Sequence, residues 1–281
     1  KCNSTINFLN KLAILKRKHT NAKIIAITGS SGKTTLKTLF GKTLSEYGKT
    51  YFSQKSYNNH IGVPLSLSNL EKDHEYGIFE IGMSNAGEIR RLSNLVKPDI
   101  AIITNIGAAH IENFNNLDSI ANAKSEIIEN IKLGGFLILN RDEKYFNFFS
   151  KLAKKKKINV LSFGKSLKSN AKLVKNKPYK DYNDLHFRVL EKDVYLRIKN
   201  ANSLIISNIL FSLLTLHVLG LDFSKIKNFS NYFQPIEGRG KKHLISRYKK
   251  NFYLIDESYN ANPSSVKNAI NNFSKVKKKN E

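Results

Sequence analysis

The sequence predicts an α/β protein with a mostly parallel sheet flanked by helices, a small antiparallel hairpin region, and the start of a second α/β domain. Short apolar runs alternate with helical patterns over the first 165 residues, which is the rhythm of βαβ units. Residues 171–199 alternate apolar and polar side chains, as antiparallel strands do. A segment at 234–240 that contains proline and glycine separates these elements from a strand–strand–helix pattern.

The first half of the chain supplies the parallel strands. The apolar run at 23–28 predicts a buried strand, because it is short and ends at a glycine turn. A helix is expected at 33–47, ending at Gly48. Four more strands are predicted at 76–82, 99–105, 135–140 and 159–163, with helices at 86–96 and 117–131 between them.

The second half predicts a hairpin from two alternating apolar series that flank a turn near 191–193, namely Leu185, Phe187, Val189 and Val194, Leu196, Ile198. A helix follows at about 203–219, then strands at 242–248 and 252–256, and a helix that opens at Pro263. We therefore divide the chain into three parts. Residues 1–22 are a leading segment (the end of a preceding domain, or a linker), 23–234 a central domain, and 235–281 a linker with the truncated start of another domain.

The composition narrows the class of protein. The 281 residues contain 47 Lys and Arg against 22 Asp and Glu, so the formal net charge is +25. With 41% hydrophobic residues the chain can bury a sizeable core, which excludes a disordered basic tail. A single cysteine excludes an intramolecular disulfide framework and a cysteine-cluster metal site. The basic residues are mostly lysines spread along the chain, which favours a solvated surface and no specific nucleic-acid partner.

The strongest motif lies between the first strand and the first helix of the central domain. Backbone N–H groups of such a loop, and the helix N-terminus behind it, attract phosphate. Lys33 can reach the β- and γ-phosphates of a nucleotide, and the Thr34 hydroxyl can ligate Mg²⁺. The common pattern G-x-x-x-x-G-K-S/T expects a glycine where Ile27 stands, so this loop is shorter. The predicted nucleotide-binding residues are Thr28, Gly29, Ser30, Ser31, Gly32, Lys33, Thr34 and Thr35.

The positions of two further residues at the ends of predicted parallel strands place them near this loop. Glu80 ends one predicted strand and His110 follows another. The carboxyl ends of parallel strands meet at one sheet edge, so both side chains are expected beside the loop. A carboxylate, an imidazole and the Thr34 hydroxyl together suit a magnesium ion bridged to nucleotide phosphates.

Further segments, together with the short phosphate loop, resemble the Mur ligase family, the ATP-dependent amino-acid and peptide ligases of peptidoglycan precursor synthesis. In chain order they are 56–64 (SYNNHIGVP), 79–82 (FEIG), 104–110 (TNIGAAH), 123–127 (AKSEI), 238–239 (GR) and 255–263 (IDESYNANP). The first and last are most like those of the members that join D-alanyl-D-alanine to UDP-N-acetylmuramoyl-tripeptide. The resemblance covers about residues 23–275.

The resemblance assigns catalytic roles to Lys33, His110 and Lys124. Taken alone, Lys124 is a lysine on a predicted helix, a type of residue that usually lies on the surface. The family carries a carbamylated lysine at the matching position. The resemblance thus implies that Lys124 is a carbamate that ligates a second Mg²⁺, beside the ion held by Thr34, Glu80 and His110.

The resemblance also implies nucleotide contacts in four other places. Asn59 lies in the SYNNHIGVP segment, and Asn208 matches an asparagine that reads adenine. Arg239 is expected to reach the phosphates when the domains close, and Asp256 belongs to the part that closes over the nucleotide.

The function implied is that of a ligase that uses ATP and Mg²⁺ to activate a carboxylate as an acyl phosphate, which an amine then attacks. The implied substrates are UDP-N-acetylmuramoyl-tripeptide and D-alanyl-D-alanine, and the expected protein is a cytoplasmic monomer without a transmembrane segment. This segment alone is expected to be inactive. Another Mur ligase or a folylpolyglutamate synthase-like ligase stays open, although the run at 259–262 argues against both. From a different class, a P-loop nucleic-acid-dependent ATPase is favoured by the net charge of +25 alone.

Overall fold

Nine strands of the computed structural model form one sheet. The structure describes residues 4–108, 111–199, 201–228, 238, 240–247, 250–259 and 263–276. The strands of this sheet are β1 (Lys23–Thr28), β2 (Thr50–Phe52), β3 (Tyr76–Glu80), β4 (Ile100–Ile103), β5 (Phe136–Asn140), β6 (Asn159–Phe163), β7 (Ala171–Pro178), β8 (Asn183–Val189) and β9 (Lys192–Ile198). Their spatial order is β2-β3-β1-β4-β5-β6-β7-β8-β9. Strands β1 to β6 run parallel, and β8 is antiparallel to both β7 and β9, which confirms the predicted fold class.

Helices cover both faces of this sheet, as a parallel sheet requires. They are α1 (Thr5–Lys18), α2 (Lys33–Leu44), α3 (Gly62–Ser68), α4 (Glu88–Val96), α5 (Leu117–Ser125), α6 (Phe146–Lys155) and α7 (Ser203–Val218). Buried side chains of α1, α3, α4, α5 and α6 form the core on one face, and those of α2 and α7 form the core on the other. In the part of the chain that is described, no helix combines the length and the apolar character that a bilayer crossing needs.

The central strand β1 explains why the sheet is buried on both sides. Ile24 and Ala26 pack into one core, and Ile25 and Ile27 pack into the other. All four side chains are fully buried. Such a strand reads as a continuous apolar run in the sequence, with no alternation.

The strand register brings three chain segments to the same edge of the sheet. Ile27 pairs with Glu80, and Thr28 pairs with Ile103. The loop that follows β1, the end of β3 and the segment that follows β4 therefore start side by side. This edge is where the predicted phosphate loop and Glu80 were expected to meet.

The antiparallel region differs in detail from the expectation. It has three strands where a hairpin of two was predicted. Strand β7 was not predicted separately because most of its side chains are exposed and give no alternating pattern. It also continues the main sheet, since Ala171 of β7 pairs with Phe163 of β6. The turn between β8 and β9 lies at 190–191, slightly before the predicted position. The helix predicted at 117–131 ends as an α-helix at Ser125 and continues as a 3₁₀ stretch, Glu126–Asn130.

The leading segment contains a helix that the sequence analysis did not predict. Helix α1 packs against α3 and α4. The Arg17 side chain is buried at this contact, where its Nε donates to the Val96 carbonyl at 2.7 Å and its Nη2 donates to the Lys97 carbonyl at 2.9 Å. The Arg17 guanidinium thereby satisfies carbonyls at the end of α4, which a helix leaves without internal donors. The domain boundaries at 22 and 234 stay predictions.

The last described elements match the strand–strand–helix pattern. Strands β10 (Lys241–Arg247) and β11 (Lys250–Asp256) pair antiparallel as a separate two-stranded sheet. Helix α8 (Pro263–Val276) follows, beginning at the expected proline.

The Arg17 contact yields a stability prediction. We expect Arg17→Met to lower the free energy of unfolding by about 2–4 kcal/mol, because two carbonyls at the end of α4 lose charged donors. Urea denaturation measures the change. The exposed neighbour Lys18 provides the control, since Lys18→Met is expected to stay within about 0.5 kcal/mol of the parent. Equal urea midpoints for the two variants would show that α1 is not held by Arg17.

Candidate active site

The phosphate loop lies between β1 and α2, as the motif predicted. Gly32 is the N-cap of α2 in a left-handed conformation, with φ 80°, and as a glycine it supplies no side-chain cap. A helix N-terminus presents backbone donors and a partial positive charge to an anion. The Lys33 ammonium folds back over the loop and donates to the Gly29 carbonyl at 2.8 Å. The Thr28 hydroxyl is buried and has no hydrogen-bond partner among the described residues.

The segment that follows β4 packs against this loop. Gly29 has a φ of 143°, and a Cβ placed there would lie 1.9 Å from the Thr104 hydroxyl oxygen. No other residue type fits so close an approach. The Ser30 hydroxyl hydrogen-bonds the backbone N–H and C=O of Gly107, both at 2.9 Å. Residues 104–107 (TNIG) of the 104–110 motif thus pack against the phosphate loop and hydrogen-bond to it.

Thr34 and Glu80 meet at the first turn of α2. The Thr34 hydroxyl donates to Glu80 Oε2 at 2.9 Å, and both side chains are buried. Asn58 Nδ2 donates to the other carboxylate oxygen at 2.7 Å. Gly82 makes room for this contact, since a Cβ there would lie 2.9 Å from the Asn58 carboxamide carbon. A hydroxyl and a carboxylate at a phosphate-binding helix end are the hard oxygen ligands that Mg²⁺ prefers, so these residues fit the metal.

Lys37 is a site residue that the sequence analysis missed. Its side chain is 0% exposed. The ammonium donates to the Lys55 carbonyl at 2.7 Å and to the Ser53 hydroxyl at 3.1 Å, and it lies 3.9 Å from Glu80 Oε2. Its spacing in the sequence could have identified it, because Lys37 follows Thr34 by three residues and therefore lies on the same face of the helix.

Asn58 was missed in favour of its neighbour Asn59. The Asn59 side-chain oxygen accepts from the N–H groups of Ile61 and Gly62, at 3.2 and 2.8 Å, where helix α3 begins. Asn58 contacts the buried carboxylate of Glu80 instead. A contact of Asn59 with nucleotide stays a prediction.

Lys124 lies inside the protein and is not a surface lysine. It sits on α5 with 2% of its area exposed. Burial lowers the pKa of its ammonium well below the usual range, and the positive charge of Lys33 acts in the same direction. A lysine with a depressed pKa is partly a neutral amine, which is the nucleophilic form.

Helix α7 begins beside the phosphate loop. A Cβ at Gly32 would lie 4.0 Å from a methyl of Leu204, in the first turn of that helix. Asn208 follows Leu204 by four residues and is buried. The structure thus brings the helix that carries Asn208 to the loop, while its contact with adenine stays a prediction.

The remaining predicted residues are placed elsewhere or are not described. Asp256 accepts from the Gly238 N–H at 2.9 Å, the Ser258 N–H at 3.0 Å and the Ser258 hydroxyl at 2.6 Å. These bonds, the hydroxyl's foremost, lower the pKa of the Asp256 carboxyl. His110 and Arg239 lie outside the described residues.

A second group of potential ligands lies away from this edge. Oxygen and nitrogen atoms of Glu71, Asp73 and His74 lie within 4.8 Å of one another. The Lys49 ammonium already bonds both carboxylates, at 2.8 and 2.7 Å. The two carboxylates are exposed, so we assign the group no role.

Comparison with known proteins agrees with this geometry. The family model described as the Mur ligase middle domain matches residues 27–216. The UDP-N-acetylmuramoyl-tripeptide–D-alanyl-D-alanine ligase of Rickettsia prowazekii is 34% identical over 98% of this chain and 60% of that protein.

Solved structures agree as well. The crystal structure of MurF from Acinetobacter baumannii has a TM-score of 0.87 at 29% identity, covering 98% of this chain and 59% of that one. The MurF ligase of Thermotoga maritima in complex with ADP has a TM-score of 0.82 at 27% identity, covering 97% and 62%. This chain therefore spans about 60% of the length of the relatives it matches. It belongs to the Mur ligase family.

Proposed function

We propose that this chain is the central, ATP-binding part of a ligase that joins D-alanyl-D-alanine to UDP-N-acetylmuramoyl-tripeptide in peptidoglycan precursor synthesis. The observation that carries the proposal is the phosphate loop whose Thr34 hydroxyl bonds the buried Glu80 carboxylate at 2.9 Å. Similarity to ligases of that name, over nearly the whole chain, supports the choice of substrates. The expected protein is a cytoplasmic monomer that acts on small molecules and on no specific nucleic acid.

The loop and the first turn of α2 would bind the nucleotide phosphates. Bound ATP with Mg²⁺ supplies the phosphoryl group that activates the substrate carboxylate as an acyl phosphate, from which the amine of the second substrate displaces phosphate. Thr34 and Glu80 would hold one ion, with His110 as a further ligand. Lys33 would stabilise negative charge on the transferring phosphoryl group. Asn59 and Asn208 would contact the nucleotide.

Arg239 and Asp256 would act from beyond the central domain. A guanidinium at 239 can pair with phosphate oxygens in a bidentate manner. Asp256 is already held by the hydrogen bonds of its turn, so its carboxylate is oriented before any ligand arrives. Both residues would contribute when the following domain closes over the nucleotide.

Lys124 would carry a carbamate, and its surroundings favour this modification. The neutral amine nitrogen attacks CO₂, a C–N bond forms, one C=O π bond opens onto oxygen, and the nitrogen releases a proton. The lowered pKa increases the neutral fraction that can react. The product is an anion, so Lys33 would attract the carbamate where it repels the ammonium. The carbamate would also supply a carboxylate-like ligand for a second Mg²⁺.

The function is tested by phosphate release from ATP in the protein that carries these 281 residues. Release is expected to need both UDP-N-acetylmuramoyl-tripeptide and D-alanyl-D-alanine. A diamino acid with the dipeptide precursor, or a folate with glutamate, should give none. Release that depends instead on added RNA, and that falls steeply with salt, would support the nucleic-acid-dependent ATPase.

The first of three predictions for this site removes the charge of Lys33. We expect Lys33→Ala to lower kcat at least about 100-fold, because a charge that stabilises the transition state is lost. The matched control is Lys151→Ala, which removes an exposed lysine from α6 and should leave turnover near that of the parent. Near-normal ligation by Lys33→Ala would refute the assignment.

The second prediction separates stability from activity at Lys124. In CO₂-free buffer at neutral pH, Lys124→Met should raise the free energy of unfolding by roughly 1–4 kcal/mol, because an apolar side chain of similar size replaces an amine whose charge is disfavoured by burial. The folded protein binds the Lys124 proton less tightly than the unfolded chain does. Parent stability should therefore rise with pH between the lowered pKa and about 10.4, and the advantage of the variant should fade over that range.

Thermal unfolding from pH 6 to 10 measures this difference. The control, Lys151→Met, should shift the midpoint little at any pH. Equal midpoints for Lys124→Met and the parent at neutral pH would show that burial of Lys124 does not destabilise the folded protein.

The third prediction concerns the sign of the charge at residue 124. Lys124→Ala should lose most ligase activity, and added short carboxylates should restore part of it. Lys124→Glu should retain more activity than Lys124→Arg, because only glutamate keeps the negative charge of a carbamate. Equal activity of Lys124→Arg and the parent protein would contradict the carbamate.

A further inference from the structure

Ser31, in the middle of the phosphate loop, has every polar group bonded to the segment after β4. Its N–H donates to Asn105 Oδ1 at 3.0 Å. Its hydroxyl accepts from Asn105 Nδ2 at 2.8 Å, and its carbonyl accepts from the Thr104 hydroxyl at 2.6 Å. Two neighbouring side chains therefore bond the N–H, the carbonyl and the hydroxyl oxygen of a residue that the motif alone places against phosphate.

Ser30 is held in the same way by the backbone. Its N–H donates to the Asn105 carbonyl at 3.0 Å. Its hydroxyl bonds the N–H and the C=O of Gly107. Both serines of the loop thus face residues 104–107, which we call the loop-holding segment.

The loop-holding segment is itself fixed by the sheet. Thr104 directly follows β4, and its N–H donates to the Thr28 carbonyl at 2.9 Å, at the end of β1. The position of the loop relative to β1 is therefore set through the strand next to it, and Gly29 permits that strand end to come close.

We propose that Thr104 and Asn105 are positioning residues that fix the phosphate loop through Ser31, and that Ser30 and Ser31 attach the loop to β4 instead of contacting nucleotide. The phosphates are then left to the side of the loop that leads into α2, where Lys33 and the helix N-terminus lie. This inference rests on the proposed function only in taking the ligand of the loop to be a nucleotide. The attachment itself is a property of the chain without ligand.

Amide hydrogen exchange in the nucleotide-free chain tests the attachment directly. Asn105→Ala should raise the exchange rate of the Ser31 amide at least about tenfold, while amides in the middle of β1 keep their protection. Thr104→Val should also speed exchange in the loop, and Thr104→Ser, which keeps the hydroxyl, should not. The control is Asn159→Ala, which removes a 2.9 Å side-chain bond to the Gly134 carbonyl at the other end of the sheet. An unchanged Ser31 amide in Asn105→Ala would overturn the proposal.

A double-mutant cycle on ADP binding tests how the residues act. With MgADP as the probe, Asn105→Ala should weaken binding about tenfold and Ser31→Ala about two- to threefold. Because the Ser31 hydroxyl acts only through Asn105, the double variant should lose no more than Asn105→Ala alone. Losses that multiply, to about 25-fold, would mean that one of the two side chains contacts the nucleotide itself, and would overturn the proposal.

The two measurements keep this proposal separate from the proposed function. If the parent chain binds no MgADP, the nucleotide assignment fails while hydrogen exchange still decides whether Asn105 holds Ser31. If MgADP binds but Asn105→Ala leaves the exchange rate of the Ser31 amide unchanged, the nucleotide site is supported and the positioning role is refuted. A thermal unfolding midpoint for each variant identifies any change caused by global instability. Thr104→Val keeps nearly the volume of threonine but loses the hydroxyl, whereas Thr104→Ser keeps the hydroxyl, so the two variants together decide the case.

Discussion

The hydrogen bond from the Thr34 hydroxyl to the Glu80 carboxylate is the contact on which the rest of the site depends. It links the first turn of α2 to the end of β3, two elements that are adjacent only because Ile27 pairs with Glu80 in the sheet. A buried carboxylate without partners would cost several kcal/mol. Thr34 and Asn58 remove that cost by bonding one oxygen each, and in doing so they draw the chain after β2 towards the end of β3.

The same edge of the sheet concentrates positive charge. Lys37 is buried behind Glu80, and Lys124 is buried where the charge of Lys33 reaches it. Lys37 is compensated by a carboxylate and by acceptors on the next loop, whereas Lys124 carries a depressed pKa. Such an arrangement is costly in the free protein and becomes favourable when anionic groups enter. It is the electrostatic pattern expected of a site that binds a polyphosphate, and it gives local meaning to a chain whose overall charge is spread over its surface.

The sequence predicted the parts of this site that follow from strand ends and glycine turns. The phosphate loop and Glu80 were located because parallel strands place their carboxyl ends together, whatever the helices do. Lys37 was not, because a lysine in a helix is usually solvated and its burial depends on a loop 16 to 18 residues away in sequence. The bonds of Ser31 could not be predicted either, because its partners Thr104 and Asn105 lie 73 and 74 residues further on. Helix α1 and strand β7 were missed for a related reason, since their outward faces obscure the pattern of their packed ones.

The junction between β6 and β7 is the most weakly paired part of the large sheet. The two strands share the single pair Phe163 and Ala171, whereas the flanking strands pair along most of their length. Helix α7 crosses this junction, packing against β5, β6 and β7. We therefore expect the three antiparallel strands to open at a lower free energy than β1 to β5, with the difference limited by the apolar side chains that they share with α7. Because the same helix begins beside the phosphate loop and packs on this junction, we expect a change at the loop to alter the free energy at which the far side of the sheet opens.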